Sequence, residues 1–383
     1  MTFIIPVGPQ HPALLEPEHF RFEVKGEEIV DVGIRLGYMH RGIERGLSER
    51  TYHQGLYLAE RICGICSHSH NLCFAQTVER LAEVEVPDRA EYIRAIVAEL
   101  ERIHSHLLWA GVAAHEIGFI TLFMLFWRDR EHVQDLLELT TGNRCYYSMC
   151  ALGGVRRDIR PEHLLKLKRG LKVLEKATKH YVDVATSDRT ILARCENVGV
   201  LTKRDARDLC AVGPTARASG VDRDMRRDDP YASYPEIPFE VAVQPEGDVL
   251  ARVVVRLREV LEAINIIREA LKKMPTGPIR TKFKPEIPPN QATVRIEAPR
   301  GELLHFGISN GTNKPERWRA RTPTYANFAA LKPMFVGGSI AEIPIVLASI
   351  DPCMCCTDRV TLVEVATGKS RVLTMEELRR IPK

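Results

Sequence analysis

Apolar positions along the 383-residue chain change period several times. Phe20, Phe22 and Val24 alternate with polar neighbours, Lys25-Gly26-Glu27-Glu28 supplies a turn, and Val30, Val32, Ile34 and Leu36 return in period two. Residues 18–37 therefore predict an N-terminal β-hairpin. From Ala90 the period becomes helical, with Tyr92, Ile93, Ile96, Val97, Leu100, Ile103 and Leu107 in one stripe, which predicts a long core helix. Further helices are predicted over residues 131–139, 162–186 and 248–274. The last carries Val249, Val253, Leu257, Val260, Leu261, Ile264, Ile267 and Leu271 on one side.

Two stretches break the pattern. Residues 213–247 are rich in Arg, Asp, Pro and Tyr without sustained period, and residues 275–289 hold five prolines, so both read as irregular covering loops. Beyond them, residues 292–298 and 302–308 read as short strands, and 343–350 is an apolar run too short to assign to a helix. Residues 361–365 and 371–373 flank Thr367-Gly368-Lys369, a hairpin signal. Thr374 and Glu377 then form the capping pair of a short helix over 374–381. The fold class is mainly α, a bundle of long helices with an N-terminal β-hairpin and small peripheral β elements.

Composition narrows the function. With 45% hydrophobic and 27% charged residues, the chain is neither disordered nor low in complexity. Lys plus Arg number 54 against 50 for Asp plus Glu, a net charge of +4, which gives no reason to expect a nucleic-acid partner. Met1 to Gln10 lacks the pattern of a secretion leader. The window 107–127 is long enough for a bilayer, but His115 and Glu116 within it point to buried core. Ten cysteines in such a chain are expected as reduced thiols, so their spacing is read for metal binding or catalysis.

Two C-x-x-C pairs stand near opposite ends, Cys63 with Cys66 and Cys353 with Cys356. Four thiolates are a soft ligand set, suited to zinc, nickel or iron rather than to magnesium. A structural zinc site is the plainer reading, weakened because zinc ribbons place their pairs only roughly 15–20 residues apart. A redox dithiol is weaker still, since no βαβ pattern surrounds either pair. A metal centre joining the two ends ranks first. Cys73, Cys145, Cys150, Cys195 and Cys210 are expected to be buried and inert.

The motifs together resemble the large catalytic subunit of membrane-associated, energy-converting [NiFe] hydrogenases, which are related to the 49 kDa-type subunit of respiratory complex I. The resemblance runs through Gly8-Pro9-Gln10-His11-Pro12-Ala13, Tyr38 to Glu44, Arg61 to Cys66, His70, Arg102 to His106, Gly153 to Arg156 and Ala298 to Gly301, and ends at Asp351 to Arg359. It implies a large-subunit domain over 1–359, with a helical core over 48–274 and a metal-site region over 290–359. It also implies a nickel–iron centre whose iron carries CO and CN ligands. Cys63 and Cys353 resemble terminal nickel ligands, and Cys66 and Cys356 the bridges to iron. The activity implied is heterolytic cleavage or formation of hydrogen.

Other residues take roles by the same resemblance. Arg300 matches the arginine over the open metal site, competing with Cys353 as the immediate base, and Asp351 is its expected acceptor. His70 is placed to donate to a bridging sulfur. Glu16 resembles a proton relay, with Glu18 as competitor and an exposed loop carboxylate as the plainer reading. Glu44 resembles a ligand of a hard cation such as magnesium, against a simple ion pair with Arg41 or Arg45. His11 belongs to a loop that lines a quinone pocket in the complex I relatives. Implied partners are a small subunit with a proximal [4Fe-4S] cluster, ferredoxin-type electron carriers and membrane antiporter-like subunits, the whole lying at the cytoplasmic face of the cell membrane. One departure concerns the end of the chain. Arg359 stands where a maturation endopeptidase cuts many hydrogenases, yet the chain runs on from Val360 to Lys383, as an unprocessed precursor or as a member of a subgroup that keeps its tail. The competing readings are a complex I-like quinone or cofactor dehydrogenase subunit and a zinc-stabilised scaffold without catalysis.

Overall fold

The computed structural model describes residues 1–357 and the two short strands Leu362–Val363 and Ser370–Arg371. At the N-terminus lies a three-stranded antiparallel sheet, β1 (Phe3–Val7), β2 (His19–Lys25) and β3 (Glu28–Arg35), in chain order. β2 and β3 are the predicted hairpin. β1 is an addition, pairing Phe3 with Val24 and Val7 with Phe20. Its Pro6 lacks an N–H to donate, which an edge strand tolerates, and Phe3 and Ile4 stay exposed, so periodicity gave no signal there.

Two short helices, α1 (Ile43–Glu49) and α2 (Tyr52–Glu60), lead to α3 (Ser67–Leu81), α4 (Asp88–Glu116), α5 (Ile120–Thr141) and α6 (Pro161–Ser187). α4, α5, α6 and the helix Val249–Lys273 pack as a bundle. Each long helix follows its apolar spacing. α6, for example, buries Leu167, Leu171, Leu174, Tyr181 and Ala185 and leaves its lysines outside. α4 starts after Pro87, with Asp88 and Glu91 in its first turn where acidic charge suits the helix dipole. It is buried around almost its whole circumference, as the central member of a bundle must be. The apolar window 107–127 is the end of α4, a turn at Gly118 and the start of α5. No helix among the described residues is long and apolar enough to cross a membrane. The predicted 131–139 helix is the inner part of α5, whose earlier turns hide their period behind a run of apolar residues.

A second antiparallel sheet, Asn290–Ala298, Gly301–Ser309 and Pro315–Arg321, packs on α3. Ala298 pairs with Gly301, so Pro299 and Arg300 form the hairpin tip. The third strand was not predicted: of its central residues only Trp318 is fully buried among charged neighbours, too little for a period-two signal. Gly301 has φ +124°, and a Cβ there would stand 2.7 Å from the Gly213 amide nitrogen. A Cβ on Gly213 would in turn lie 2.5 Å from the Arg300 carbonyl. Two bare backbones thus meet and seat the hairpin tip.

Several expectations need correction. Residues 213–247 are not a surface cover: Arg217, Asp224 and Arg226 are buried within them. Arg217 bonds Glu259 and Glu297, and Arg226 bonds Glu99 and Asp224, so mutual pairing rather than solvent satisfies these charges. Ile343–Ser349 is a helix. Cys145 and Cys210 are exposed, while Cys73, Cys150 and Cys195 are buried as expected. Leu362–Val363 and Ser370–Arg371 pair antiparallel at the expected hairpin. Arg359, the rest of the tail and the helix expected over 374–381 lie outside the described residues.

Candidate metal centre

Cys63 follows the end of α2, and Cys66 is the N-cap residue of α3. The Glu101 carboxylate, projecting from α4, accepts from the amides of His68 and Ser69 and from the Ser69 hydroxyl. It thereby satisfies orphan donors of the first helical turn and holds Cys66 in place. Burial pushes the Glu101 carboxyl up to about 7, with these donors and the Ser69 hydroxyl working against it.

The second pair follows the helix Ile343–Ser349. Asp351 adopts φ +55°, a costly conformation for a residue with a side chain, and it turns the chain into Cys353. Thr324 Oγ1 accepts from the Cys353 amide at 3.2 Å, and Thr322 Oγ1 donates to the Cys356 carbonyl at 2.8 Å. Arg41 clamps the two ends together. Its guanidinium donates to the carbonyls of Arg61 and Ile62 at 3.1 and 2.7 Å and to that of Cys355 at 3.1 Å.

The four sulfurs meet. Cys63 Sγ lies 3.3 Å from Cys353 Sγ, and Cys66 Sγ 3.8 Å from Cys356 Sγ. Those of Cys63, Cys66 and Cys356 all lie within 4.8 Å of one another. Two sulfurs bound to one ion at about 2.3 Å stand roughly 3–4 Å apart, so this spacing accommodates metal. All four cysteines are buried. Contact with the neighbouring cysteines, Cys355 first, holds the pKa of Cys353 well below the ordinary thiol value, while contact with Cys353 pushes Cys66 and Cys356 well up. Four thiolates need a cation between them, and a set of soft sulfurs fits nickel and iron.

Arg300 is 3% exposed. Its Nη2 donates to Asp351 Oδ1 at 2.7 Å, its Nε to the Asp351 carbonyl at 2.8 Å and its Nη1 to Ser105 Oγ at 3.3 Å. Burial works against its charge, but Asp351 and the sulfurs of Cys353, Cys66 and Cys63 outweigh it and hold the guanidinium firmly protonated. His70 Nε2 lies 3.6 Å from Cys356 Sγ, and burial pushes this histidine down to about 4, so it is neutral.

Of the two candidate relays, Glu16 reaches the cysteines. The amide and thiol of Cys355 both donate to its carboxylate, the amide at 2.9 Å. Burial first, and then the charge of Cys353, raises the Glu16 pKa, while the Cys355 bonds oppose that. Glu18 is buried before β2, raised by burial to about 7, and its Oε2 has no protein partner. Glu44 is engaged elsewhere: the Arg319 guanidinium and the Ala320 amide, the latter at 3.0 Å, donate to its carboxylate. Arg319 was not among the ion-pair partners weighed from sequence, and of those that were, Arg45 bonds Glu49. His11 is exposed and accepts from the Ala13 amide.

Sequence reasoning left out Cys355, Glu101, Ser105, His305 and Trp318. Cys355 had a visible signal, a third thiol inside the second pair. His305 had only strand alternation and Trp318 not even that, and their partners lie far away along the chain.

Comparison with known proteins fits this geometry. Residues 116–285 and 281–359 match the family described as the 49 kDa subunit of respiratory-chain NADH dehydrogenase, and residues 41–122 match nickel-dependent hydrogenase. The membrane-bound hydrogenase subunit alpha of Pyrococcus furiosus is 43% identical, over 98% of this chain and 92% of that protein. An NADH-quinone oxidoreductase subunit of Dehalococcoides mccartyi is 38% identical, over 94% of this chain and 98% of that protein. Among solved structures, a chain of the membrane-bound sulfane sulfur reductase, an archaeal respiratory membrane complex, superposes with a TM-score of 0.89 at 32% identity, covering 94% of this chain and 98% of that one.

Proposed function

The chain belongs to the family of membrane-bound hydrogenase large subunits related to the 49 kDa subunit of respiratory complex I, and from that premise we propose that it is the catalytic subunit of an energy-converting [NiFe] hydrogenase. Cys63, Cys66, Cys353 and Cys356 hold nickel and iron, the iron with its CO and CN ligands. The observation that carries this reading is the convergence of these buried sulfurs from the two ends of the chain. When bound, the metals supply the redox and Lewis-acid chemistry by which hydrogen becomes two protons and two electrons, or the reverse.

The protein's own groups manage the rest. Cys353 takes a proton, and Glu16 receives it across the Cys355 thiol that bonds its carboxylate. Arg300, anchored by Asp351 and Ser105, keeps a fixed positive charge and N–H donors beside the centre. His70 Nε2 stands 3.6 Å from the Cys356 sulfur, in reach to donate to it. Electrons leave through a small subunit bearing a proximal [4Fe-4S] cluster and through ferredoxin-type carriers. Antiporter-like membrane subunits anchor the assembly at the cytoplasmic face and couple the reaction to ion movement.

The NADH-quinone oxidoreductase relative, at 38% identity, favours a second reading as a quinone- or cofactor-linked dehydrogenase subunit. Elemental analysis of the purified complex together with hydrogen-dependent dye reduction separates the two. Nickel and iron with hydrogen-dependent reduction are expected. Zinc in place of nickel points to a scaffold, and a complex with neither nickel nor zinc and without hydrogen activity points to the dehydrogenase.

A further inference from the structure

Behind Cys356 runs a line of buried polar rings. His70 Nδ1 lies 3.2 Å from His305 Nε2, and Trp318 Nε1 lies 3.3 Å from His305 Nδ1. The three side chains are at most 1% exposed. They come from three elements: His70 from the first turn of α3, His305 from Gly301–Ser309 and Trp318 from Pro315–Arg321. Phe74 packs on Trp318 with ring centroids 4.3 Å apart, which fixes the indole.

The direction of this line follows from its end. An indole N–H donates and cannot accept, so His305 Nδ1 is the acceptor and the His305 proton sits on Nε2. That proton faces His70 Nδ1, which must accept, leaving the His70 proton on Nε2, 3.6 Å from the Cys356 sulfur. The opposite polarity, with Cys356 donating to His70, drives a proton onto His305 Nδ1 against the Trp318 N–H. Each ring therefore keeps one bare nitrogen: a second proton on His305 would meet the Trp318 N–H, and a second proton on His70 would meet the His305 N–H.

We propose that His305 and Trp318 are positioning residues that lock His70 in the tautomer presenting a donor, and only a donor, to the Cys356 sulfur. The consequence for a metal-bound Cys356 rests on the function proposed above; the tautomer itself does not. A sulfur that receives a fixed hydrogen bond carries less negative charge toward the metals, as partners behind a ligand generally arrange.

The test uses the full-length chain labelled with 15N in its histidine side chains. Both His70 and His305 are expected as Nε2–H tautomers. His305→Gln retains a carbonyl for Trp318 and an amide N–H for His70, and should leave His70 unchanged. His305→Leu and Trp318→Phe should release a population of the Nδ1–H tautomer. In the intact complex, His305→Leu is expected to lower hydrogen turnover about 10- to 100-fold, with His305→Gln restoring most of it. An Nδ1–H His70 in the wild-type chain, or an unchanged His70 in His305→Leu, overturns the proposal. Nickel content is read separately: a complex without nickel defeats the proposed function while the tautomers still decide the relay.

Discussion

Asparagine at position 351 removes the counter-charge of Arg300 while keeping nearly the same shape. Both residues are 3% exposed, and Nη2 and Oδ1 stand 2.7 Å apart. Breaking a buried pair by removing one partner generally costs about 3–5 kcal/mol, because the survivor is left charged in a poor solvent. Asp351→Asn keeps the main-chain carbonyl that accepts from Arg300 Nε and a side-chain Oδ1, so the low end, about 3 kcal/mol, is expected. Arg300→Met should cost less. The stranded Asp351 carboxyl escapes by taking up a proton, which burial already favours by lifting its pKa. The double variant removes both charges of the pair, although buried Arg256, which also faces Asp351, remains, and it should regain at least about 2 kcal/mol relative to the sum of the single changes. Urea unfolding of the four purified full-length chains measures this coupling. If the single losses add to within about 0.5 kcal/mol, the pair is not the closed electrostatic unit described here.

Other outcomes follow from the same geometry. Cys66→Ser or Cys356→Ser should abolish nickel incorporation, since oxygen replaces a soft bridging sulfur poorly, and unchanged nickel by elemental analysis would contradict the ligand assignment. Glu16→Gln should lower hydrogen-dependent dye reduction by about 100-fold or more with nickel content intact, and wild-type turnover would remove Glu16 from the proton path. Glu18 is raised from 4.5 to about 7 in the fold, so the unfolded chain ionises first and stability falls as pH rises between those values, then levels off. Glu18→Gln should shrink the difference in unfolding free energy between about pH 5 and about pH 8, and an identical difference in the variant would place the effect elsewhere.

The long helices were legible because a buried stripe repeats with the helix, as Tyr92 to Leu107 and Val249 to Leu271 do. Phe3–Val7 and Pro315–Arg321 were not, because a strand that buries one or two side chains leaves no period to detect. Arg217, Asp224 and Arg226 misled for a related reason. Charged residues read as solvent-facing, and what buries them is pairing with Glu99, Glu259 and Glu297, contributed by distant parts of the chain. At the site, the four cysteines carried their chemistry in their spacing. His70 and Asp351 were within reach because they stand close to those cysteines in sequence. His305 and Trp318 became visible only when the second sheet was laid on α3.

The meeting of Gly213 with Gly301 leaves the aim of Arg300 in the hands of two missing methyl groups. Alanine at either position would prise the hairpin from its seat and swing the guanidinium aside, although every sulfur stayed where it was. A loss of activity traced to such a glycine would look like damage to the metal pocket while the ligands themselves were faultless. Natural variants silent in metal assays and dead in turnover are therefore worth seeking at these two places first.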